Sequence, residues 1–169
     1  MKLGLAGYGR PAVEQALAGA LASLSKSKLT PQAKLYGLKT VVVPRYVYPL
    51  VHSDVGRGFL GRLDRMVRRS VRQWLHLPHD VALAAFHARV RDGGLGIPSY
   101  LTRVPMLRIA QIHRLESYND WLVKALIEDR SSRLRKRQAK DVVRVVVGGK
   151  RWQLQFGEAE SEFWKRRLS

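Results

Sequence analysis

Arginine side chains recur at helical spacing between residues 57 and 75, and phosphate binding is the chemistry that they suit best. Four of them follow steps of three and four residues, which align them along one side of a helix, and a fifth lies beside them. A guanidinium offers a planar fork of donors that matches phosphate oxygens. Only Asp64 opposes this charge nearby, whereas a solvated helix face usually mixes both signs. The residues predicted to bind nucleic acid are Arg62, Arg65, Arg68, Arg69 and Arg72, with Arg103 and Arg108 from a later helix.

A glycine-rich turn follows at residues 91–98. Gly93, Gly94 and Gly96 allow positive φ or a close approach of two backbone segments, and Leu95 and Ile97 can return to the core. The N–H groups of such a turn could also cradle a phosphate, but the spacing differs from that of nucleotide-binding loops. We therefore predict a structural turn.

Metal binding and nucleophilic catalysis find little support in the sequence. His76, His79 and His87 lack the carboxylate or thiolate partners that would complete a recognisable zinc set. No nucleophile motif accompanies the serines and histidines. The four tryptophans fall at apolar positions or helix ends, so we expect them mainly in the core, with base stacking by an exposed ring as the alternative. We predict no cofactor, no metal and no catalytic residue.

The helix that carries the arginines has a second, apolar side, and this side must be buried. Its residues are Phe59, Leu60, Leu63, Met66, Val67, Val71, Trp74 and Leu75. Pro78 is expected to end the helix, since proline disfavours helical geometry in the residue before it. Asp80 is expected to cap a short helical turn that runs to Ala85.

Helices are also predicted before and after this central one. Pro11 suits a first helical position, and Thr30 and Pro31 repeat the start signal as N-cap and first turn. Pro44 is expected to kink or break the second of these helices. Another helix should begin at Ser99 or Thr102.

The last quarter of the chain changes character. A further helix is predicted from residue 119 or 120, and a basic run occupies residues 131–140. Apolar residues then alternate on both sides of Gly148 and Gly149, which predicts a β-hairpin, and a short helix is predicted for residues 158–168. The expected fold is mainly α, a helical bundle with a small C-terminal hairpin. Its predicted divisions are 1–28, 29–128 and 129–169.

The charge of the chain favours a polyanionic partner. It has 169 residues, with 31 Lys and Arg against 13 Asp and Glu, and a formal net charge of +18. Such an excess destabilises a compact state unless a polyanion neutralises it, which makes RNA, DNA or an RNA–DNA hybrid the expected partner. The chain has no cysteine, and its longest apolar run is too short for a membrane span. We expect an intracellular protein without a membrane partner, nuclear if its source is a eukaryote.

Several motifs together resemble a known family. They are Leu-His-Leu-Pro-His-Asp at 75–80, Phe-His-Ala at 86–88, the glycine turn at 90–99, and the segments 29–39, 43–45 and 63–65. This combination is similar to the region just after the catalytic palm in reverse transcriptases of non-LTR, target-primed retrotransposons, above all those that insert into ribosomal RNA genes. The resemblance extends from about residue 29 to 116. It implies a helical thumb that closes on an RNA template and a growing DNA strand.

The chain also departs from that family. Polymerase chemistry needs paired aspartates that hold metal ions, and this chain has no Asp-Asp pair. The zinc knuckle that normally follows needs cysteine, which is absent. We therefore predict a nucleic-acid-binding, thumb-like part of a reverse transcriptase that is not an enzyme on its own, with a palm encoded elsewhere as protein partner. The alternative is a helical protein-interaction module whose basic face meets an acidic protein.

Overall fold

The computed structural model describes residues 10–53, 55–116 and 121, and within them the chain is helical with no strand. The helices are α1 (Arg10–Lys26), α2 (Pro31–Gly37), α3 (Val43–His52), α4 (Arg57–Leu75), α5 (Leu83–His87) and α6 (Tyr100–Glu116). The mainly α fold is therefore confirmed. The predicted β-hairpin, the basic run at 131–140 and the helices predicted from residue 119 or 120 and at 158–168 lie outside the described residues.

One hydrophobic core joins the longer helices, because α1, α3, α4 and α6 all contribute buried apolar side chains to it. Helix α4 packs against α1, α2 and α6, and α6 also packs against α3. Helix α1 contributes Val13, Leu17 and Leu21 to this same core. None of the described helices is both long enough and apolar enough to cross a membrane.

Helices α1 and α2 begin as their sequence signals predict. Pro11 is the second residue of α1, and the Thr30 hydroxyl accepts a hydrogen bond from the N–H of Ala33 at 3.4 Å, as an N-cap does. The Lys34 ammonium donates to the Ser25 carbonyl at 3.0 Å near the end of α1. This bond ties the start of α2 to the end of α1.

Pro44 does not interrupt the helical backbone, which continues from α2 into α3. The residues before it, Leu38–Val42, form a π-helical turn that joins α2 to α3. In this turn the N–H of Val43 bonds to the carbonyl of Leu38, five residues earlier. Proline has no N–H and its ring clashes with the carbonyl four residues back, so the wider turn relieves both conflicts. The expected break is therefore a single-turn bulge.

Helix α4 ends before Pro78 can act. His76 takes the left-handed conformation with φ 50°, and the N–H of Leu77 bonds to the Arg72 carbonyl at 3.0 Å. A left-handed residue at this position is a common way to close a helix. The helix ends close to the predicted position, but the prediction that Pro78 ends it was wrong, because the left-handed His76 does so.

The short helix α5 starts without the predicted cap. Its N-cap residue is Ala82, and no side chain bonds to its first N–H groups. Asp80 is exposed in the preceding turn, so the predicted Asp80 cap was wrong. Because Ala82 has no polar side-chain atom, α5 depends on its contacts with α4 and the glycine turn.

Candidate nucleic-acid interface

Three arginines project from the outer side of α4 into solvent. Arg62, Arg65 and Arg69 are all exposed, while the opposite side of the helix holds the buried residues of the core. No acidic partner is recorded for these three side chains within the described part of the chain; Arg62 lies over the Phe59 ring at 5.4 Å, and Arg65 reaches the Gly61 carbonyl at 3.4 Å. We call Arg62, Arg65 and Arg69 the arginine stripe. It is a positive surface on a helix that the core holds in place.

Two further arginines of α4, Arg68 and Arg72, turn inwards, towards α5. The Arg68 guanidinium approaches the His87 ring at 3.5 Å, and the Arg72 guanidinium lies over the Phe86 ring at 5.2 Å. Burial lowers the pKa of Arg68, although the charge of Asp64 raises it. The Nε atom of Arg72 is buried without a hydrogen-bond partner. We call this contact between Arg68, Arg72 and α5 the α4–α5 seam, and it leaves these two arginines less available to a ligand.

His87 is buried in the seam as a neutral ring. Its Nδ1 lies 2.8 Å from the Ile97 carbonyl, so Nδ1 carries the proton and Nε2 is left to accept from Arg68. Burial lowers the pKa of His87; the Ile97 bond and the Asp64 charge oppose this shift, and the Arg68 charge adds to it. His87 therefore packs and bonds inside the fold.

Asp64 is the one acidic residue on the buried side of α4, and it holds the start of α6. Its carboxylate accepts hydrogen bonds from the Ser99 hydroxyl at 2.6 Å, the Tyr100 N–H at 2.8 Å and the Leu101 N–H at 3.1 Å. The first N–H groups of a helix have no partner within the helix, and a negative charge there is favourable. Asp64 thus caps α6 from another helix.

In the sequence, Asp64 stands out as a counter-charge to the arginines and as part of the 63–65 motif, and neither feature indicates a cap. A signal was present, because the steps from Leu60 to Asp64, Val67 and Val71 place this carboxylate on the apolar stripe. An acidic residue at a buried helical position needs donors around it. The sequence could not show that Ser99 and the start of α6 supply them.

Arg108 has a structural role in the fold. It is 8% exposed, and its guanidinium donates to the carbonyls of Leu50 at 2.6 Å, Val51 at 3.0 Å and Val55 at 3.5 Å, and also to that of Ser53. These carbonyls lie at the end of α3 and in the loop after it, where a cation is favoured by the helix dipole. Arg108 was predicted to contact nucleic acid, but its guanidinium donates to backbone carbonyls of this chain. Arg103 is partly exposed on α6.

The glycine turn closes against α5 through its backbone. The N–H groups of residues 93–97 all bond to carbonyls between Ala85 and Val90, over 2.7 to 3.1 Å. Gly93 and Gly96 have positive φ, at 79° and 64°, whereas Gly94 does not. At Gly94 a Cβ atom would lie 2.3 Å from the Ala88 carbonyl oxygen, so this glycine is needed for close approach. Because these N–H groups are already bonded, they have no free donor for a phosphate.

The remaining candidates can also be placed. Within the described residues no three His, Asp or Glu side chains come together as a metal site. His76 and His79 are exposed, and His87 is in the seam. Trp74 is buried and donates to the Ser25 hydroxyl at 2.8 Å, while Trp121 is 76% exposed. The other two tryptophans lie outside the described residues.

Known proteins similar to this chain come from retrotransposable elements. It is 33% identical over 120 residues to a retrovirus-related Pol polyprotein from the type-1 element R2 of Nasonia vitripennis, which is 71% of this chain and 12% of that polyprotein. It is 41% identical over 96 residues, 57% of the chain, to the Pol polyprotein of the type-2 element R2DM of Drosophila melanogaster, and 9% of that protein is covered. A Bradysia coprophila R2 polyprotein is 37% identical over 94 residues, 56% of the chain and 11% of that protein.

The share of these relatives that is covered is small. The chain spans about a tenth of the length of these three polyproteins. No protein-family model matches it.

Proposed function

Since this chain is homologous to an R2-type reverse transcriptase region of retrotransposon Pol polyproteins, we propose that it binds the duplex of RNA template and DNA primer as a helical, thumb-like element. Relatives of this kind imply nucleic-acid substrates in general. The duplex lies against the arginine stripe of α4. This chain has no Asp-Asp pair. The catalytic residues of polymerisation are therefore supplied by a palm outside this chain.

The observation that carries this proposal is the arginine stripe itself. Arg62, Arg65 and Arg69 are exposed and carry no recorded acidic partner, on a helix whose other side is fixed in the core. From Arg62 to Arg69 the helix rises about 10 Å, at roughly 1.5 Å per residue. That rise is about three base-pair steps along the axis of a duplex, at roughly 3.4 Å each for one strand. The stripe can therefore reach successive phosphates without reading bases.

The test is a salt titration of binding to an RNA–DNA hybrid duplex. If each arginine neutralises one phosphate, the variant Arg62→Gln, Arg65→Gln, Arg69→Gln should lose roughly two to three units of the slope of log affinity against log salt. The fold should survive, because these side chains are exposed. Circular dichroism and thermal melting confirm that point.

A matched control removes the same charge elsewhere. Lys26, Lys28 and Arg91 are exposed and lie outside α4, so a triple glutamine variant at these positions has the same net charge as the stripe variant. It should keep the wild-type slope. Equal losses in both variants, or no loss in the stripe variant, would contradict the proposal. The first would mean general attraction by the net charge; the second would leave an acidic protein as the partner of this face.

A further inference from the structure

A second exposed surface runs along α2, the π-helical turn and α3, and duplex binding by α4 does not explain it. Exposed side chains form a continuous stripe there, which we call the tyrosine face. Its residues are Tyr36, Thr40, Val41, Pro44, Arg45, Tyr48 and His52. Tyr36 and Tyr48 are 71% and 73% exposed, so most of both rings lies in water. Tyrosine is enriched at binding interfaces, because its ring is apolar and its hydroxyl is polar.

The charge of the tyrosine face selects the class of partner. Arg45 is exposed three residues before Tyr48, with no ion pair recorded in the part of the chain that is described. The sequence from Thr30 to Ser53 contains no Asp or Glu. Rings beside a cation and without acidic neighbours are the combination that binds unpaired nucleotides. A helix face for protein docking would instead place aliphatic residues at successive turns, and here only Val41 does so.

We propose that the tyrosine face binds single-stranded nucleic acid, with bases stacked on Tyr36 and Tyr48 and a backbone phosphate at Arg45. Twelve residues separate the two tyrosines, which is about 18 Å along a helix at roughly 1.5 Å per residue. The two rings therefore serve separate bases of one strand. The His52 ring lies 4.5 Å from that of Tyr48, at 54° to it, and limits the freedom of that ring. This inference rests on the proposed nucleic-acid function and adds a second site to it.

The experiment compares two double variants of the full chain on two probes. Tyr36→Ala with Tyr48→Ala removes both rings, and Tyr36→Phe with Tyr48→Phe keeps them. The probes are a short labelled oligouridylate, which has no internal pairing, and an RNA–DNA hybrid duplex. Loss of a stacked base weakens binding by roughly 5- to 100-fold for each ring. We therefore expect the alanine variant to bind oligouridylate at least about tenfold more weakly.

Three further readouts identify stacking on a single strand. The phenylalanine variant should keep its affinity within about twofold, because stacking depends on the ring. The salt slope of the alanine variant should equal that of wild type, since no charge is removed. Its affinity for the hybrid duplex should be unchanged. Circular dichroism should show equal folding, because both side chains are exposed.

Some outcomes overturn the inference. Unchanged oligouridylate affinity in the alanine variant would show that the tyrosine face does not bind single-stranded nucleic acid. A protein would then be the alternative partner of this face. An equal loss on the hybrid duplex would assign the tyrosines to the duplex. Failure of the proposed function is distinguishable from both, because it is read from the hybrid-duplex salt slope of the arginine-stripe variant, in which both tyrosines are intact.

Discussion

The arginine stripe and the α4–α5 seam use the same residue type on the same helix for different purposes. Arg65 and Arg69 are exposed, whereas Arg68, one residue from Arg69, is partly buried against His87. The difference comes from α5, whose His87 and Phe86 lie against Arg68 and Arg72 and leave Arg65 and Arg69 exposed. Helical spacing therefore identifies a basic face, but the neighbouring element decides which of its arginines can meet a ligand.

The largest expected effect concerns Asp64, which lies on the buried side of α4, opposite the arginine stripe. Asp64→Ala leaves the Ser99 hydroxyl and the N–H groups of Tyr100 and Leu101 without their partner. Each buried donor without a partner costs roughly 1 to 3 kcal/mol, so for three donors we expect a loss of at least about 3 kcal/mol in the free energy of unfolding. Urea denaturation measures it.

Asp80 supplies the matched control for this prediction. It is exposed and caps no helix, so Asp80→Ala should change the free energy of unfolding by less than about 0.5 kcal/mol. Similar losses in the two variants would show that the removal of any negative charge destabilises this highly basic chain. The capping bonds of Asp64 would then not be the cause.

The next largest effect concerns Gly94, where the glycine turn packs closely against Ala88 at the end of α5. In Gly94→Ala the new methyl group would overlap the Ala88 backbone, so the turn must move away from α5. We expect a loss of about 1 to 3 kcal/mol, the usual cost of overpacking. Thermal melting should show it as a lower midpoint.

Gly61→Ala is the control from the same helix as the arginine stripe. A Cβ atom at Gly61 has no neighbour within 4 Å, and alanine stabilises a helix interior by up to about 1 kcal/mol relative to glycine. The two glycine-to-alanine changes should therefore have opposite signs. A raised melting temperature in both variants would mean that Gly94 is not held against Ala88.

The smallest effect is a pH dependence of the free energy of unfolding, which arises from His87 in the α4–α5 seam. Burial lowers the pKa of His87 below 6.5, so the unfolded chain binds this proton at a higher pH than the folded chain. The contribution is fully present above the unfolded pKa and is lost as pH falls towards the folded pKa. One such group changes the free energy of unfolding by at most about 1.4 kcal/mol per pH unit.

His87→Gln removes this titration, so the variant should lose less stability than wild type between about pH 7.5 and 5. Urea denaturation at a series of pH values compares the two proteins. Asp64 and Arg68 are the charged groups whose fields reach His87 in the folded state. Parallel pH profiles would show that the ring titrates alike in the folded and unfolded chain.

The sequence predicted some local features well, because they depend on neighbouring residues, but its signals for the end of α4 and for the cap of α5 were wrong. The apolar side of α4, the Thr30 cap and the return of Ile97 to the core all follow from spacing and side-chain type. The long-range partners could not be read in this way. Arg108 resembles a surface cation in the sequence, and only the fold brings the end of α3 to its guanidinium, 53 to 58 residues earlier in the chain.

The π-helical turn before Pro44 also constrains the length of this segment. Leu38 and Val42 lie on its buried side, and the buried pattern then resumes at Val43, Tyr46, Val47 and Leu50, one residue later than an uninterrupted α-helix would place it. One residue corresponds to about 100° of rotation, at 3.6 residues per turn. Deletion of a single residue here would therefore rotate all of α3 and turn Tyr46 and Leu50 out of the core. The segment tolerates substitution on its outer face, but its residue count is fixed.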